Sequence, residues 1–166
     1  MLVVDTNTQT THSTLSEEVI EEVIACARYG ELEELKTIIN SFPVKHLELK
    51  DNLGNTALHM ASANGHLEIV EFIIQTLGSS LERIINIQND SGNTPLHWSA
   101  LNGHEKVVEL LVKNGADAKI KNRAGRTPMF EAQQNNHEKV IEFLLANVDP
   151  DKEEESTTTE NDADTY

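Results

Sequence analysis

The chain has 166 residues, and 13 basic against 28 acidic side chains give it a formal net charge of −15. This length suits one domain, and this charge repels nucleic acid and anionic lipid while attracting basic proteins. Its single cysteine, Cys26, excludes an internal disulfide framework and a cysteine-rich zinc site. With no stretch as long as a membrane span or a signal-peptide apolar region, we expect a protein of the cytoplasm and nucleus.

The two ends of the chain lack the pattern of packed elements. Residues 1–15 are mostly small polar side chains after the first four, which predicts a disordered N-terminus. Residues 148–166 hold eight acidic side chains and one basic side chain, Lys152, and so carry about half of the net charge. This composition predicts a disordered acidic tail and places the folded domain at residues 16–147.

The first predicted unit, about residues 16–50, is a pair of helices separated by Gly30. It aligns with the helix pairs of the later units, and its outer face is acidic. These glutamates are Glu17, Glu18, Glu21, Glu22, Glu31, Glu33 and Glu34. An acidic outer face suits the terminal unit of a stack, because no neighbour covers that face.

The next three units share one motif. They begin with DNLGNTALHMA, NDSGNTPLHWS and NRAGRTPMFEA, at Asp51, Asn89 and Asn122. The motif glycines are separated by 38 and then 33 residues, and they are Gly54, Gly92 and Gly125. We predict units at about 51–88, 89–121 and 122–147, with roughly five extra residues after position 78 forming a longer helix or a loop.

Each motif residue has a predicted structural role. The Thr94 hydroxyl caps the first helix, and Pro95 occupies the first helical position, where its missing N–H costs nothing. Gly65 ends a first helix in a left-handed conformation. Apolar pairs at positions 69–70 and 73–74 then give the second helix a buried stripe.

These motifs resemble the ankyrin repeat, whose period is about 33 residues and whose hallmark is T-P-L-H-x-A. The resemblance implies an all-α fold, a solenoid of about four repeats in which helix-turn-helix units are joined by β-hairpin fingers. Ankyrin domains are overwhelmingly protein-binding modules without catalysis. We therefore expect no enzyme, although a fold alone does not name the partner.

The histidines of the motif raise the possibility of a metal site, which the repeat pattern argues against. Five histidines occupy recurring motif places, at His59, His97, His66, His104 and His137. Ligands spaced by one repeat stack along the fold and do not converge on an ion at roughly 2 Å. We expect no metal and no cofactor. Cys26 occupies a slot for small residues, which predicts a buried and unreactive thiol.

The residue after the motif histidine predicts the partner-binding site, because the resemblance implies that this position lines a concave surface. Trp98 is the only tryptophan and would be an interface anchor; the alternative is that it packs between repeats. The predicted partner-binding residues are Met60, Ala63, Trp98, Leu101 and Glu131, with Asp51 and Asp90 at the fingers.

The third finger differs from the others because it is basic. Its cationic side chains are Lys119, Lys121, Arg123 and Arg126. We interpret this small patch as a contact for an acidic segment of a partner or for the chain's own tail. The surrounding negative charge disfavours direct nucleic-acid binding.

A narrower resemblance involves NTALHMASANGH, NTPLHWSALNGH and the final FEAQ, together with the acidic C-terminal extension. These are similar to the small fungal ankyrin proteins that escort ribosomal protein three of the small subunit, uS3. The resemblance implies a monomeric chaperone whose concave face receives a helical segment of the newly made basic protein, without contacting membrane. The alternative is a scaffold or regulatory subunit that binds a signalling or transcription protein through the same surface.

Overall fold

The computed structural model describes residues 8–42 and 44–147. The helices are α1 (Thr8–Tyr29), α2 (Leu32–Ser41), α3 (Ala57–Asn64), α4 (Leu67–Leu77), α5 (Leu81–Ile84), α6 (Pro95–Leu101), α7 (Glu105–Lys113), α8 (Pro128–Gln134) and α9 (Glu138–Asn147). Short 3₁₀ turns span Val44–Glu48 and Gly78–Ser80. Within the described ranges the protein is all helical, with no β-strand. The predictions for residues 1–7 and for the acidic tail lie outside the described residues.

The helices form four pairs that stack in chain order. The pairs are α1 with α2, α3 with α4, α6 with α7, and α8 with α9. The first helices of the pairs, α1, α3, α6 and α8, pack one on the next and form what we call the first-helix layer. The second helices α4, α7 and α9 pack in the same order behind it. The helix pairs expected from the sequence are therefore present.

The core between the two layers is aliphatic. Leu58 and Leu96, the motif leucines of α3 and α6, are fully buried. Ile69 and Ile73 on α4 are also buried, which confirms the stripe predicted for the second helix. Burying one such side chain stabilises a fold by about 1.5–3 kcal/mol, so the repeated apolar positions hold neighbouring pairs together.

The fingers before α3, α6 and α8 are turns, where the resemblance implied β-hairpins. In the first finger the Asp51 N–H donates to the Asn55 carbonyl oxygen over 2.8 Å. Adjacent fingers share one backbone hydrogen bond, as between the Asp90 N–H and the Leu53 carbonyl at 3.0 Å. One bond per pair of fingers is too few to establish a β-ladder, which needs successive paired residues.

The N-terminal helix α1 begins at Thr8, eight residues before the predicted start of the domain. Residues 8–14, TQTTHST, contain no apolar side chain, so the hydrophobic pattern gives no sign of a helix there. Extending an existing helix fixes one residue per hydrogen bond, whereas starting a helix fixes several. A helix held downstream by the buried Val19 and Val23 therefore continues into this polar segment.

The extra residues of the second unit form a compact insertion. A 3₁₀ turn at Gly78–Ser80 leads directly into the short helix α5. The insertion is anchored by Ile84 and Ile85, which are 4% and 2% exposed. Asn86 then bonds the following loop, donating to the Gly115 carbonyl at 3.1 Å and accepting from the Asp117 N–H at 2.8 Å.

Candidate protein-binding surface

Two histidines of the first-helix layer join each unit to the finger that follows. The Thr56 N–H donates to His59 Nδ1 at 3.1 Å, so the ring carries its proton on Nε2. That Nε2 lies 3.0 Å from the Asn93 carbonyl oxygen, to which it donates. The same arrangement recurs at Thr94, His97 and Arg126. Burial lowers the pKa of His59 to about 4 and also lowers the pKa of His97.

Three other histidines connect each second helix to the unit before it. Their Nε2 atoms lie 2.9, 3.0 and 2.8 Å from backbone carbonyl oxygens of the preceding unit. The pairs are His66 with Arg28, His104 with Ala63, and His137 with Leu101. Each histidine thus has a structural partner in a neighbouring unit. Among the described residues, no group of three or more His, Cys, Asp or Glu is arranged to hold a metal ion.

Trp98 lies on α6 in the middle of the first-helix layer, and its side chain is half-buried. Its indole Nε1 is covered and has no hydrogen-bond partner among the described residues. Ala63 and Leu101, one turn further along α3 and α6, are also half-buried. The indole is therefore partly covered and partly accessible, and its role as an interface anchor stays a prediction.

Met60 on α3 and Glu131 on α8, which hold the motif place of Trp98, are more buried than the sequence predicted, at 9% and 6% exposure. The Arg28 guanidinium donates to Met60 Sδ over 3.5 Å and covers the thioether. Glu131 accepts from Asn122 Nδ2 at 3.1 Å and faces Arg126 at 3.8 Å. Both side chains therefore support the layer and contribute little accessible surface.

The two predicted acidic finger residues have different environments. Asp51 is half-buried, and its Oδ1 accepts the N–H groups of Leu53 and Asn55, each at 2.8 Å. Burial alone would raise the pKa of Asp51, but these hydrogen bonds hold it below its usual value. Asp51 thus folds its own turn, whereas Asp90 at the second finger is exposed.

An acidic cleft of about 340 Å³ lies between α1 and the first finger. It is lined by Glu17, Ile20, Glu21, Lys50, Asp51 and Asn52. The sequence did not predict this cleft, because its two walls lie some thirty residues apart. The only sequence signal is the pair Glu17 and Glu21, whose i, i+4 spacing places both carboxylates on one helical face.

The negative charge of the first unit also acts on its buried thiol. Burial, followed by the charges of Glu31, Glu22 and Glu34, raises the pKa of Cys26 to about 11. The side chain is 2% exposed, which confirms the predicted burial, and a protonated thiol at neutral pH favours low reactivity.

Known proteins share this sequence pattern and this stack of helix pairs. Residues 78–155 match the pattern described as ankyrin repeats in three copies, and residues 23–74 match the one described as ankyrin repeats in many copies. A chain in the crystal structure of the yeast ribosomal protein Rps3 in complex with its chaperone Yar1 is 37% identical, with a TM-score of 0.76. The match covers 81% of this chain and 97% of that chain.

The chain belongs to the ankyrin-repeat family.

Two curated fungal ankyrin proteins are similar over shorter stretches. An ankyrin repeat-containing protein of Schizosaccharomyces pombe is 40% identical over 69 residues, which make up 42% of this chain and 44% of that relative. Ankyrin repeat-containing protein YAR1 of Saccharomyces cerevisiae is 38% identical over 66 residues, 38% of this chain and 33% of that relative. The match therefore spans less than half the length of these curated relatives.

The first unit and the third finger of the ankyrin stack expose opposite charges. Exposed glutamates lie on α1 at Glu17, Glu18, Glu21 and Glu22, whereas the third finger exposes Lys121, Arg123 and Arg126. The Arg126 guanidinium also lies over the Phe130 ring, 5.4 Å from its centroid.

No described helix is both long enough and apolar enough to cross a membrane.

Proposed function

We propose that this ankyrin protein is a non-enzymatic chaperone that binds and shields the basic ribosomal protein uS3, called Rps3 in yeast, before ribosome assembly. The observation that carries the proposal is the match to nearly the whole of a chain in the Rps3–Yar1 complex, at a TM-score of 0.76. The repeats act as a solenoid whose first-helix layer and fingers form the concave client surface.

Electrostatics favours this client. A chain with a net charge of −15 attracts a cationic ribosomal protein from a distance and accelerates their encounter. The exposed Glu17 and Glu21 of the acidic cleft make none of the ion pairs formed by described residues, so their charges are available to a partner. Basic client side chains enter this cleft at the N-terminal end of the surface.

The lifetime of the complex comes from the apolar part of the surface. Aromatic anchors surrounded by water-excluding neighbours dominate the binding energy of many interfaces. Ala63 and Leu101, near the C-terminal ends of α3 and α6, are half-buried apolar residues of the same layer and can serve as such neighbours of Trp98. A helical segment of the client lies across these side chains, and slow dissociation follows from their burial.

Shielding and release follow from the same charges. A free cationic protein binds RNA nonspecifically, and covering its basic surface prevents this until assembly. Ribosomal RNA, with its dense phosphate charge, then competes for the same basic groups and displaces the chaperone. This role places the protein in both the cytoplasm and the nucleus as a monomer with one client.

The test is calorimetric titration of purified Rps3 with the Trp98→Ala variant. We expect the variant to lose about 2 kcal/mol or more of binding free energy, which is roughly a thirtyfold weaker Kd. The matched control is Phe42→Ala, another partly exposed aromatic, which follows α2 and lies away from the first-helix layer. Its Kd should stay within about twofold of the parent protein, as for surface substitutions that touch no partner.

Two results would contradict the proposal. One is an unmodified chain that does not bind Rps3, and the other is equal loss of affinity in both variants. Affinity purification in mild salt then separates the remaining hypotheses. Recovery of uS3 supports the chaperone, whereas recovery of a signalling or transcription protein in its place supports the scaffold.

A further inference from the structure

The third finger presents a surface that the first two fingers use for stacking. A Cβ placed on Gly54 would lie 2.7 Å from Asp90 Oδ1, and one on Gly92 would lie 2.7 Å from the Arg123 nitrogen. Both glycines are therefore covered by the finger that follows them. At Gly125, which has the same backbone conformation, no described atom lies within 4 Å of that position.

This open surface is cationic. Lys121 and Arg123 are exposed, and neither makes an ion pair with a described residue. Arg126 is half-exposed and faces the buried Glu131 at 3.8 Å. A segment can stack on this finger in the way that each finger stacks on the one before it. Charge attraction holds such a segment only if it is anionic.

The repeat itself identifies such a segment. ELLVKN at Glu109 and EFLLAN at Glu142 are equivalent ends of second helices, separated by 33 residues. With the same offset of 33 residues, residues 153–159, EEESTTT, are the repeat equivalents of residues 120–126, which form the third finger. The match to ankyrin repeats also continues through residue 155, eight residues beyond α9.

We propose that residues 148–159 dock along the third finger of their own chain as a partial fifth finger, with Glu153–Glu155 against Lys121, Arg123 and Arg126. The chain reaches this place directly, because α9 ends at Asn147. Exposed ion pairs are individually weak and are screened by salt. Docking is therefore reversible, and it covers the only finger whose stacking surface the described residues leave open.

The test is paramagnetic relaxation in the full-length protein. A nitroxide attached to a Ser156→Cys variant marks the segment without removing a carboxylate. The label reacts at this site alone, because the only natural cysteine is buried and protonated. We expect loss of the amide signals of residues 121–124 in low salt, with the signals of residues 53–55 retained.

Paired charge variants provide the control. Lys121→Ala with Arg123→Ala should restore the signals of the third finger. Lys106→Ala with Lys113→Ala removes the same charge from α7, in the second-helix layer, and should leave the signal loss unchanged. Equal broadening of the first and third fingers, or a loss that persists in the Lys121 and Arg123 variant, would overturn the proposal.

A mixed sample distinguishes the chain's own segment from that of a second copy. Labelled protein without isotope is mixed with isotope-enriched protein without label, so that only contact between chains can broaden signals. Unchanged third-finger signals in this sample support docking within one chain. Their loss would overturn it in favour of a second copy. Neither result depends on Rps3, so this proposal can fail independently of the chaperone function.

Discussion

His59 is held in its neutral form by contacts that protonation would break. Its Nδ1 accepts the Thr56 N–H, and its Nε2 donates to the Asn93 carbonyl. A second proton would occupy Nδ1, and the Thr56 N–H would then face another donor in place of its acceptor. The side chain is fully buried, so water cannot replace the lost partner, and burial lowers its pKa to about 4.

This pKa predicts that the protein loses stability as the pH falls. The ring titrates near 6.5 in the unfolded chain and near 4 in the fold, so only the unfolded chain gains the proton between these values. The neutral His59 therefore contributes its full share of the free energy of unfolding above pH 6.5, and about 3 kcal/mol of that free energy is lost by pH 4. Urea unfolding at pH 7 and pH 5 measures the slope. His59→Phe, which copies the Phe130 of the last unit, should reduce it, and a flat profile for the parent protein would contradict this account.

At the scale of single residues, the sequence predicted roles that depend on the motif alone. The five motif histidines stack along the fold as their spacing predicts, and each lies within hydrogen-bond distance of a backbone carbonyl of a neighbouring unit. The burial of Met60 and Glu131 was not predicted. It depends on Arg28, Asn122 and Arg126, which the fold brings to them from other helices and turns.

Neighbouring helix pairs come close together where a glycine faces a histidine. A Cβ on Gly65 would lie 2.6 Å from His104 Nδ1, and one on Gly30 would lie 2.9 Å from His66 Cε1. Asn136 holds the same place in the last unit, with a φ of 56°. No described unit follows it, so a side chain fits there.

This contact predicts a large loss of stability for one of two substitutions at equivalent positions and a small change for the other. Gly65→Asn keeps a residue that tolerates the left-handed backbone but drives its Cβ into the His104 ring. We expect its free energy of unfolding to fall by about 2 kcal/mol or more, because overpacking forces neighbours to shift. Asn136→Gly should change it by less than about 1 kcal/mol. Chemical denaturation of both variants measures the difference, and similar losses would show that backbone conformation alone selects glycine.

At the scale of elements, periodicity predicted the helix pairs but not their junctions. The stripe of α4 follows from the spacing of its apolar residues alone. The fingers have no hydrophobic periodicity of their own. Whether they form turns or β-hairpins depends on how many backbone hydrogen bonds adjacent fingers share, which the sequence does not give. The start of α1 at Thr8 depends on propagation from the packed part of the helix. The polar segment itself has no hydrophobic pattern that predicts a helix.

Charge is distributed unevenly along the whole molecule. The N-terminal unit exposes glutamates on α1 and α2, while the third finger exposes arginine and lysine. A cationic client approaching this field is oriented with its basic groups toward α1. The acidic tail carries about half of the net charge, so its docking on the third finger would offset the positive charge of that finger.

The field and the indole should therefore contribute separately to client binding. Raising the salt from low to about 0.5 M screens charges more than a few ångströms apart, so the association rate for Rps3 should fall by on the order of tenfold or more. Trp98→Ala should increase the dissociation rate and leave the salt dependence unchanged, because the indole carries no charge. Glu17→Gln with Glu21→Gln should lower the association rate and weaken its salt dependence, and should leave the dissociation rate unchanged. Surface plasmon resonance measures both rates, and association that ignores salt would exclude electrostatic capture of the client.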